Sequence, residues 1–344
     1  MRVLVTGGAG YIGSHTVLRL LRAKHEVLVL DNFSNSSPEA LRRVKGLANA
    51  DFDICEGDAR DRGVLNQAFG DFSPEAVIHF AGLKSVGESQ EQPLEYHSQN
   101  VAGSIELLAA MKRHDCSRLV FSSSATVYGE AQYLPFDEDH PLQPTNPYGR
   151  SKFFTEEIIR DWAASWSDVS AVLLRYFNPV GADTSGRIGE DPSGVPNNLL
   201  PYIAQVAVGR LAQLTVFGGD YNTRDGTGER DFIHVEDLAR AHLAAINYTV
   251  KAKGCVAINV GTGAGATVLE MVKGFKKASG REIPYKIAER REGDVARSVA
   301  AVSKAERLLR WSAELGLSDM CESTWHWQSS NPNGYADLDQ GISG

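Results

Sequence analysis

The chain has 344 residues, of which 43 are acidic and 35 basic, so its formal net charge is −8 at pH 7. This length predicts two domains or one large α/β unit, because a domain holds roughly 150 residues. A net negative charge argues against nucleic-acid binding, which needs a positive face to neutralise phosphates. Hydrophobic residues make up 42% and charged residues 23% of the chain, as in an ordinary globular protein, which argues against long disordered regions.

The cysteines and the N-terminus indicate a cellular compartment. The cysteines show no C-x-x-C pair and no Cys/His cluster at zinc spacing, so we expect free thiols in a reducing compartment and no bound metal. The first predicted strand begins at Val3, and no apolar signal-peptide core precedes it. An uncharged stretch at 195–209 contains polar side chains and two prolines and is unsuited to a bilayer. These patterns predict a cytoplasmic protein; the four cysteines are Cys55, Cys116, Cys255 and Cys321.

Short apolar runs alternate with amphipathic segments over the first half of the chain. The strands are continuous apolar runs, which is typical of a parallel sheet covered by helices on both faces. Repeated strand–helix–strand units predict right-handed crossovers and an α/β, Rossmann-type, doubly wound parallel sheet. In chain order, the predicted elements are strand 3–6, helix 13–23, strand 26–31, helix 41–47, strand 52–56, helix 62–69, strand 76–80, helix 100–114 and strand 118–122.

The pattern becomes irregular beyond Arg175. Residues 178–194 are rich in Gly, Pro and Asp, and 220–230 form a second polar loop. Strand or helix patterns persist at 256–259, 268–279 and 283–287. We interpret this half as a smaller α/β lobe that forms a ligand cleft with the sheet. The predicted organisation is a first domain of residues 1–176, a lobe of residues 177–335 with some return of the chain to the first domain, and a polar tail at 336–344.

A glycine-rich turn, Gly7-Gly8-Ala9-Gly10-Tyr11-Ile12-Gly13, joins the first predicted strand to the first helix. Glycines at this spacing allow a tight turn and a close approach of the backbone to a diphosphate at a helix N-terminus. The pattern alone would also suit a plain strand–turn–helix. Asp31, however, ends the second strand 18 residues after Gly13. A carboxylate there accepts both ribose hydroxyls and repels a 2′-phosphate, which favours NAD over NADP.

Two further strand ends face the same predicted edge of the sheet. Asp58 and Ala59 follow the third strand, where we expect them to flank the adenine of a dinucleotide. Phe80, Ala81 and Gly82 follow the fourth strand and are expected to run beneath the cofactor, with Lys84 near a phosphate or ribose.

A serine run and a Tyr-x-x-x-Lys pair predict chemistry at a hydroxyl group. Ser122-Ser123-Ser124 follows or ends the fifth strand, and Tyr148 and Lys152 lie one turn apart on a predicted helix. A free tyrosine has a pKa of about 10 and is a poor base at neutral pH. A nearby lysine charge and an oxidised nicotinamide would favour the phenolate, by roughly 4 kcal/mol for a pKa about three units lower. Ser124 would then hydrogen-bond the hydroxyl that is oxidised.

With these motifs in place, the chain resembles the extended short-chain dehydrogenases/reductases, and among them the UDP-glucose 4-epimerases, over almost its whole length. The matching stretches are V-T-G-G-A-G-Y-I-G-S-H at 5–15, V-I-H-F-A-G-L-K at 77–84, F-S-S-S-A-T-V-Y-G at 121–129, P-Y-G-R-S-K at 147–152, L-L-R-Y-F-N-P-V-G at 173–181, P-N-N-L-L-P-Y-I-A-Q-V-A-V-G-R at 196–210, G-E-R-D-F-I-H-V-E-D-L-A at 228–239, R-R-E-G-D at 290–294 and T-W-H-W-Q at 324–328.

The resemblance implies a role for individual residues. Tyr148, Lys152 and Ser124 match the family's catalytic residues. The positions implied to bind NAD are Gly7, Gly10, Tyr11, Ile12, Gly13, Asp31, Asn32, Phe33, Ser34, Asn35, Ser36, Asp58, Ala59, Phe80, Ala81, Gly82, Lys84, Asn100, Ser122, Tyr148, Lys152 and Phe177. Those implied to bind a UDP-sugar are Lys84, Ser124, Tyr148, Asn178, Asn198, Leu199, Thr215, Val216, Phe217, Arg230, Arg291, Asp294 and Ser298.

The implied reaction interconverts UDP-glucose and UDP-galactose by oxidation to a 4-keto sugar, rotation of that sugar and reduction of its opposite face. A nucleotide-sugar dehydratase is a rival, but it needs a carboxylate pair after the strand-five serine, where this chain has Ala125-Thr126-Val127. A non-catalytic NAD-binding regulator is a second rival, which the intact Ser124, Tyr148 and Lys152 argue against.

Two further expectations concern specificity and assembly. Ser298 is a small residue where the family position beside the sugar's second carbon can carry a bulky tyrosine, so we expect UDP-GlcNAc and UDP-GalNAc to be accepted as well. Segments 100–114 and 151–162 resemble the helices of the family's dimer bundle, so we expect a homodimer.

Overall fold

The structure is a computed structural model and describes residues 1–192, 194, 196–291 and 294–338. The strands are β1 Arg2–Thr6, β2 Glu26–Asp31, β3 Asp53–Glu56, β4 Ala76–His79, β5 Arg118–Ser124, β6 Ser170–Tyr176, β7 Asn178–Val180, β8 Leu214–Phe217, β9 Glu229–His234, β10 Gly254–Val260, β11 Gly265–Thr267, β12 Tyr285–Ala288 and β13 Arg297–Ser298. The α-helices are α1 Tyr11–Arg22, α2 Pro38–Ala48, α3 Arg62–Phe72, α4 Val86–Glu91, α5 Pro93–His97, α6 Gly103–Arg113, α7 Pro147–Ser165, α8 Leu199–Ala207, α9 Val235–Thr249, α10 Val268–Ser279, α11 Ser303–Leu309 and α12 Leu317–Ser330.

A seven-stranded sheet in the order β10-β6-β5-β4-β1-β2-β3 forms the centre of the molecule. All of its neighbouring strands pair in parallel, which confirms the predicted Rossmann-type doubly wound sheet. From β1 the chain winds outwards through β2 and β3, then returns to β4 on the other side of β1 and winds outwards again. Such a switch in strand order opens a crevice at the carboxyl ends of the strands, where α/β proteins bind ligands.

The sheet is buried on both faces because its strands carry apolar residues in continuous runs. Val3, Val5 and Val29 pack into one hydrophobic core with residues of α1, α2 and α9. Leu4 and Leu28, their neighbours in the strands, face the opposite core with residues of α3, α6 and α7. Alternate residues of one strand therefore serve two cores, as the absence of polar alternation in the sequence predicts.

Two predicted boundaries differ from the structure near the ligand crevice. The helix predicted from residue 100 begins as a π-helical turn, Ser98–Ala102, and becomes α-helical only at Gly103. The fifth strand, predicted to end at Ser122, continues to Ser124 because it stays paired with β6 as far as Tyr176. Both differences come from tertiary contacts, which a local pattern does not contain.

The second half of the chain is divided between the main sheet and a smaller lobe. Strands β9, β11, β13 and β7 form one small sheet and β8 pairs with β12 in another. Helices α8, α10 and α12 share a separate hydrophobic core with these strands. The chain also returns to the main sheet, where β10 is the edge strand beside β6 and α9 packs against α1.

The C-terminal segment packs against the loop that precedes α8. The Tyr335 amide donates to Asp191 at 2.8 Å, and the Arg43 guanidinium lies 5.1 Å from the centre of the Tyr335 ring. Of the predicted polar tail, residues 339–344 lie outside the described residues. No helix in the described part of the chain combines the length and the apolar character that crossing a bilayer requires.

Candidate active site

The glycine turn between β1 and α1 leaves no room for larger residues. Gly7 has φ +70°, and a Cβ on it would lie 2.6 Å from the Ala81 backbone nitrogen. A Cβ on Gly13 would lie 2.3 Å from the Gly7 carbonyl oxygen. Gly10 is the N-cap residue of α1 and supplies no side-chain hydrogen bond to it. The free N–H groups of that helix end therefore suit an anion such as a diphosphate.

Asp31 connects this turn to the loop that follows β2. Its side chain is 7% exposed, and one carboxylate oxygen accepts a hydrogen bond from the Ala9 amide at 2.9 Å. The other oxygen accepts from the Phe33 amide at 3.0 Å and from Ser36 Oγ at 2.9 Å. Each carboxylate oxygen has two lone pairs, so capacity remains for a ribose hydroxyl. The structure thus brings Phe33 and Ser36 of the predicted loop to this carboxylate, whereas Ser34 of the same loop donates to Asn32.

Asp58 follows β3 at the same edge, where Ala59 is buried. The Arg60 side chain donates to Asp58 at 2.9 Å, and this hydrogen bond holds the pKa of the carboxyl below its usual range. Asn32 also donates to Asp58, at 3.3 Å, which joins the loops after β2 and β3. The sequence reading missed Arg60, which lies two residues from a predicted site residue.

Asn100 supports the loop after β4 from below. Its amide oxygen accepts from the Leu83 N–H at 2.7 Å, and its amide nitrogen donates to the Leu83 carbonyl at 3.0 Å and to Ser151 at 2.9 Å. A Cβ on Gly82, whose φ is +152°, would lie 2.7 Å from the same amide oxygen. Both ends of the Asn100 amide are therefore bonded within the protein, in a π-helical turn of the kind often found at functional sites.

Ser124 and Tyr148 meet at the carboxyl edge of the sheet. Tyr148 is the second residue of α7, which begins with Pro147 after the capping side chain of Asn146. Ser124 is the last residue of β5, and its side chain interacts with the phenol of Tyr148. Ser124 Oγ also accepts hydrogen bonds from the Thr126 amide at 3.2 Å and the Thr126 hydroxyl at 3.0 Å. The structure thus brings the predicted serine and tyrosine side by side.

Lys152 lies one turn further along α7 and is almost fully buried. Its ammonium donates to the Ser122 carbonyl oxygen at 2.8 Å. The same nitrogen lies 4.9 Å from the centre of the Phe121 ring and 6.0 Å from that of Tyr148. The lysine is therefore fixed between the end of β5 and the ring of the tyrosine.

The electrostatics of Tyr148 and Lys152 depend on their burial. Burial raises the pKa of Tyr148, and the interaction with Ser124 only opposes that rise. Burial also lowers the pKa of Lys152, to about 8. Burial accounts for the raised pKa of the phenol because desolvation disfavours the charged phenolate, and Lys152 is not among the causes. The lowering predicted from the sequence needs the charge of an oxidised nicotinamide together with the ammonium, and it stays a prediction for the site with NAD bound.

Phe177 and Asn178 follow β6 at the same edge. Phe177 is 6% exposed, and its amide donates to the Val260 carbonyl of β10 at 3.2 Å. Asn178 is exposed and begins β7, where it pairs with Phe232 of β9. The chain therefore passes from the main sheet into the smaller lobe at the predicted nicotinamide neighbour.

The smaller lobe carries the arginines and the aromatic ring that the sequence implies for a nucleotide. The Arg291 guanidinium lies 3.9 Å from the centre of the Phe217 ring, a cation–π contact. Arg230 lies on β9 with its guanidinium 3.7 Å from an Asp294 carboxylate oxygen. Ser298 is opposite Arg230 in the parallel pair of β13 and β9. An arginine stacked on an aromatic ring suits a nucleoside diphosphate, because a guanidinium binds phosphate through two hydrogen bonds, and Arg230 adds a second guanidinium in the same lobe.

The three predicted positions in β8 do not all face the same way. Thr215 and Phe217 are half-buried, whereas Val216 is 1% exposed and belongs to the hydrophobic core of the lobe. Because side chains alternate across a strand, Val216 can offer a ligand only its backbone groups.

Glu190 is a site residue that the sequence reading missed. One of its carboxylate oxygens accepts from the Lys84 ammonium at 3.1 Å and from the Asn198 amide at 2.8 Å. Asn198 is the N-cap of α8 and is followed by Leu199, so Glu190 joins the cofactor-side loop to the substrate-side helix. No local pattern marks this glutamate, which lies in an irregular loop.

The residues present fit both ligands that the sequence implies. The cradle of Gly7 and Gly13 excludes any side chain and leaves a helix N-terminus that suits the diphosphate of NAD, and the nearby Asp31 carboxylate can accept a ribose hydroxyl. Phe217, Arg230 and Arg291 of the smaller lobe supply a ring and two cations of the kind that bind UDP.

Comparison with known proteins agrees with this site. The profile of the NAD dependent epimerase/dehydratase family matches residues 3–261. The UDP-glucose 4-epimerase of Homo sapiens is 56% identical over 341 residues, covering 97% of this chain and 98% of the human protein. That of Bacillus subtilis (strain 168) is 55% identical over 335 residues, covering 97% of this chain and 99% of the bacterial protein.

A solved structure extends the similarity to three dimensions. The crystal structure of UDP-glucose 4-epimerase from Bifidobacterium longum in complex with NAD+ and UDP matches with a TM-score of 0.94 at 49% identity, covering 97% of this chain and 100% of that one. The chain therefore belongs to the NAD dependent epimerase/dehydratase family and, within it, to the UDP-glucose 4-epimerases, which are isomerases that use NAD.

Proposed function

We propose that this protein interconverts UDP-glucose and UDP-galactose at the fourth carbon of the hexose, with Tyr148 as the acid–base group. The observation that carries the proposal is the meeting of Tyr148, Ser124 and Lys152 at the sheet edge that also holds the glycine turn. A base and a dinucleotide cradle at one edge suit the oxidation and reduction of a single hydroxyl-bearing carbon.

Different residues of the chain would bind different parts of NAD. The glycine turn at Gly7, Gly10 and Gly13 would hold the diphosphate, Asp31 the adenosine ribose and Phe177 one side of the nicotinamide. When bound, NAD supplies a hydride acceptor that later returns the hydride, together with a positive charge that favours the Tyr148 phenolate.

Tyr148 and Ser124 handle the proton. The phenolate oxygen of Tyr148 takes the proton of the sugar's 4-hydroxyl group, and the Ser124 hydroxyl holds that oxygen in place. After the sugar has turned, Tyr148 returns the same proton to the oxygen of the fourth carbon. Lys152 keeps a positive charge beside the phenol at neutral pH, because its pKa of about 8 lies above it.

The smaller lobe holds the nucleotide rather than the hexose. Arg230 and Arg291 would bind the diphosphate, Phe217 the uracil and Asp294 the ribose hydroxyls of uridine. Asn178, Asn198, Leu199 and Thr215 would complete the pocket. Because UDP supplies most of the binding energy, the hexose can turn and present either face to one hydride donor.

Turnover of UDP-galactose by the purified protein tests this proposal. We expect UDP-glucose to form without added cofactor, because a cofactor that is restored in each cycle can stay bound. Replacement of Tyr148 by Phe should lower kcat by about 10²- to 10⁴-fold, since it removes the acid–base group. Steady release of NADH, with oxidised sugar as the product, would instead identify an ordinary dehydrogenase.

We further propose that N-acetylated UDP-hexoses are substrates, because the residue paired with Arg230 between β13 and β9 is Ser298, whose side chain is small. The wild-type protein should interconvert UDP-GlcNAc and UDP-GalNAc. Ser298→Tyr should lose that activity while retaining turnover of UDP-galactose. No turnover of the acetylated sugars by the wild-type protein would contradict this proposal.

We also propose that each chain is divided into an NAD-binding domain, residues 1–176, and a UDP-sugar lobe, residues 177–335.

We propose in addition that the protein is cytoplasmic and forms a homodimer. Large apolar side chains are exposed on three helices at one region of the chain: Leu94 at 83%, Ile105 at 45% and Phe154 at 43%. Such side chains in neighbouring helices suit a helix bundle between two subunits. The four cysteines are free thiols, which suits a reducing compartment.

A further inference from the structure

We propose that Glu156 and Ser123 form a positioning pair that fixes α7 against β5 and so aligns Tyr148 and Lys152 with Ser124. This inference rests on the proposed function of Tyr148 as the acid–base group. Neither residue of the pair lies where it would touch the substrate, so the pair acts through other residues.

Tyr148, Lys152 and Glu156 all belong to α7 and lie on one face of that helix. They follow each other at intervals of four, which places them one above another on the side of α7 that faces the sheet. Glu156 is fully buried and accepts a hydrogen bond from Ser123 Oγ at 2.5 Å. The helix that carries the acid–base group is therefore attached to the sheet two turns below it.

Three consecutive residues of β5, Ser122, Ser123 and Ser124, each interact with a different residue of α7. The Ser122 carbonyl accepts from the Lys152 ammonium, and the Ser123 hydroxyl donates to Glu156. Ser124 contacts Tyr148, and its side chain projects from the opposite face of the strand to that of Ser123. Two attachments one turn apart thus set the position of α7 along β5, and the third residue meets the tyrosine.

Arg175 orients the side chain of Glu156. Its guanidinium donates to both carboxylate oxygens, at 2.9 and 2.6 Å, and its side chain is 1% exposed. Arg175 is the direct partner of Ser123 in the pairing of β6 with β5. The guanidinium also donates at 3.1 Å to Tyr128, whose hydroxyl donates to Asn259 at 2.5 Å. The bidentate contact between Arg175 and Glu156 fixes the orientation of the Glu156 carboxylate as well as its position.

The pair of Glu156 and Ser123 acts by fixing the position of α7, and not through an effect of the Glu156 charge on the pKa of Lys152. Burial accounts for the lowered pKa of Lys152, and Glu156 is not among its causes. The negative charge of Glu156 is compensated by Arg175 and, at 3.5 Å, by Arg160. Loss of the Ser123 contact should therefore disturb alignment while the charges around the lysine remain.

The test compares two buried serines of the same sheet in the holoenzyme. Glu156→Ala would leave Arg175 buried without its partner and would endanger folding, so Ser123→Ala is the better variant. Ser170→Ala is the control, since Ser170 is equally buried but begins β6, at the opposite end of the strands from the site.

We expect Ser123→Ala to lower kcat for UDP-galactose about ten-fold, with KM within about two-fold of the wild-type value. The ascending limb of its pH–kcat profile should move to higher pH, because a misaligned phenol gains less from its neighbours on ionisation. Ser170→Ala should keep the wild-type kcat and profile even if its Tm falls. Equal kcat values and pH profiles for the two variants would overturn the inference, and an inactive wild-type protein would overturn the proposed function itself.

Discussion

A buried ammonium at residue 152 is costly for the fold, and the proposed chemistry gives a reason to keep it. Burial lowers the pKa of Lys152 from 10.5 to about 8. The displacement corresponds to about 3 kcal/mol of unfavourable free energy for the charged form in the folded state. The side chain is compensated by one carbonyl, that of Ser122, at 2.8 Å. Burial of the charged Lys152 side chain therefore lowers the free energy of unfolding of the protein, although this side chain carries the positive charge of the site.

The difference in unfolding free energy between the wild-type protein and Lys152→Met should depend on pH, because only the wild-type protein buries this ammonium. A pKa that is lower in the folded than in the unfolded state means that the unfolded chain binds more protons between about pH 8 and 10.5. The unfolding free energy of the wild-type protein should thus rise relative to the variant across that range, by up to about 3 kcal/mol.

Urea unfolding of both proteins at pH 7 and at pH 10.5 measures that difference, since all other groups titrate alike in the two. A difference that stays constant with pH would contradict the depressed pKa of Lys152. Turnover of the variant should be low at both pH values, which separates function from stability.

Some residues of the site can be predicted from the sequence because their signal is local. Gly7, Gly13 and Asp31 belong to one strand–turn–helix–strand unit, and Tyr148 and Lys152 to one helical turn. Glu190, by contrast, contacts Lys84 across 106 residues, and Arg175 of β6 contacts Glu156 of α7. Such partners are selected by tertiary structure, so their positions carry no periodic or spacing pattern. The same reason explains why the raised pKa of Tyr148 was not foreseen: burial is a property of the folded chain.

At the scale of elements, the turn between β1 and α1 is the most constrained part of the site. A Cβ on Gly13 would approach the Gly7 carbonyl oxygen to 2.3 Å and the backbone of Gly8 to 2.8 Å. Backbone atoms cannot move aside as a flexible side chain can, so the turn itself would have to open. The N-terminus of α1 would then leave the place where a diphosphate can reach it.

Gly13→Ala should therefore remove bound NAD from the purified protein and destabilise it by several kcal/mol, an estimate typical of overpacking at a rigid site. Gly70→Ala is the matched control: it lies in α3, and a Cβ there meets nothing within 4 Å. The control should retain NAD and gain up to about 1 kcal/mol, because alanine favours a helix over glycine. NAD released on denaturation and thermal unfolding measure both effects; full NAD occupancy in Gly13→Ala would contradict this account of the turn.

Element boundaries show where local patterns are insufficient. The predicted strands of the main sheet all exist, because apolar runs between helices are strong signals. The extension of β5 to Ser124 and the π-helical turn before α6 depend on pairing with β6 and on the amide of Asn100. Both deviations lie beside the ligand crevice, so the parts of the fold that were hardest to predict are those that shape the site.

For the whole molecule, the exposed apolar side chains of α5, α6 and α7 predict the oligomeric state. Phe154→Glu should convert the proposed dimer to a monomer, because a charge would be buried without a partner in a helix bundle. Val250→Glu is the control, since Val250 is 49% exposed at the end of α9. Light scattering after gel filtration gives the mass of each; a wild-type monomer, or a Phe154→Glu dimer at the same concentration, would contradict the proposal.

The central claim is that one phenol oxygen and one nicotinamide ring address the same carbon of the sugar. A crystal structure of the protein with NAD and UDP-glucose measures this directly. We predict that the oxygen on the fourth carbon lies about 2.6–3.2 Å from the Tyr148 hydroxyl oxygen, within hydrogen-bond distance, with that carbon in contact with the nicotinamide. A complex in which the nicotinamide and the Tyr148 oxygen contact different parts of the ligand would contradict it.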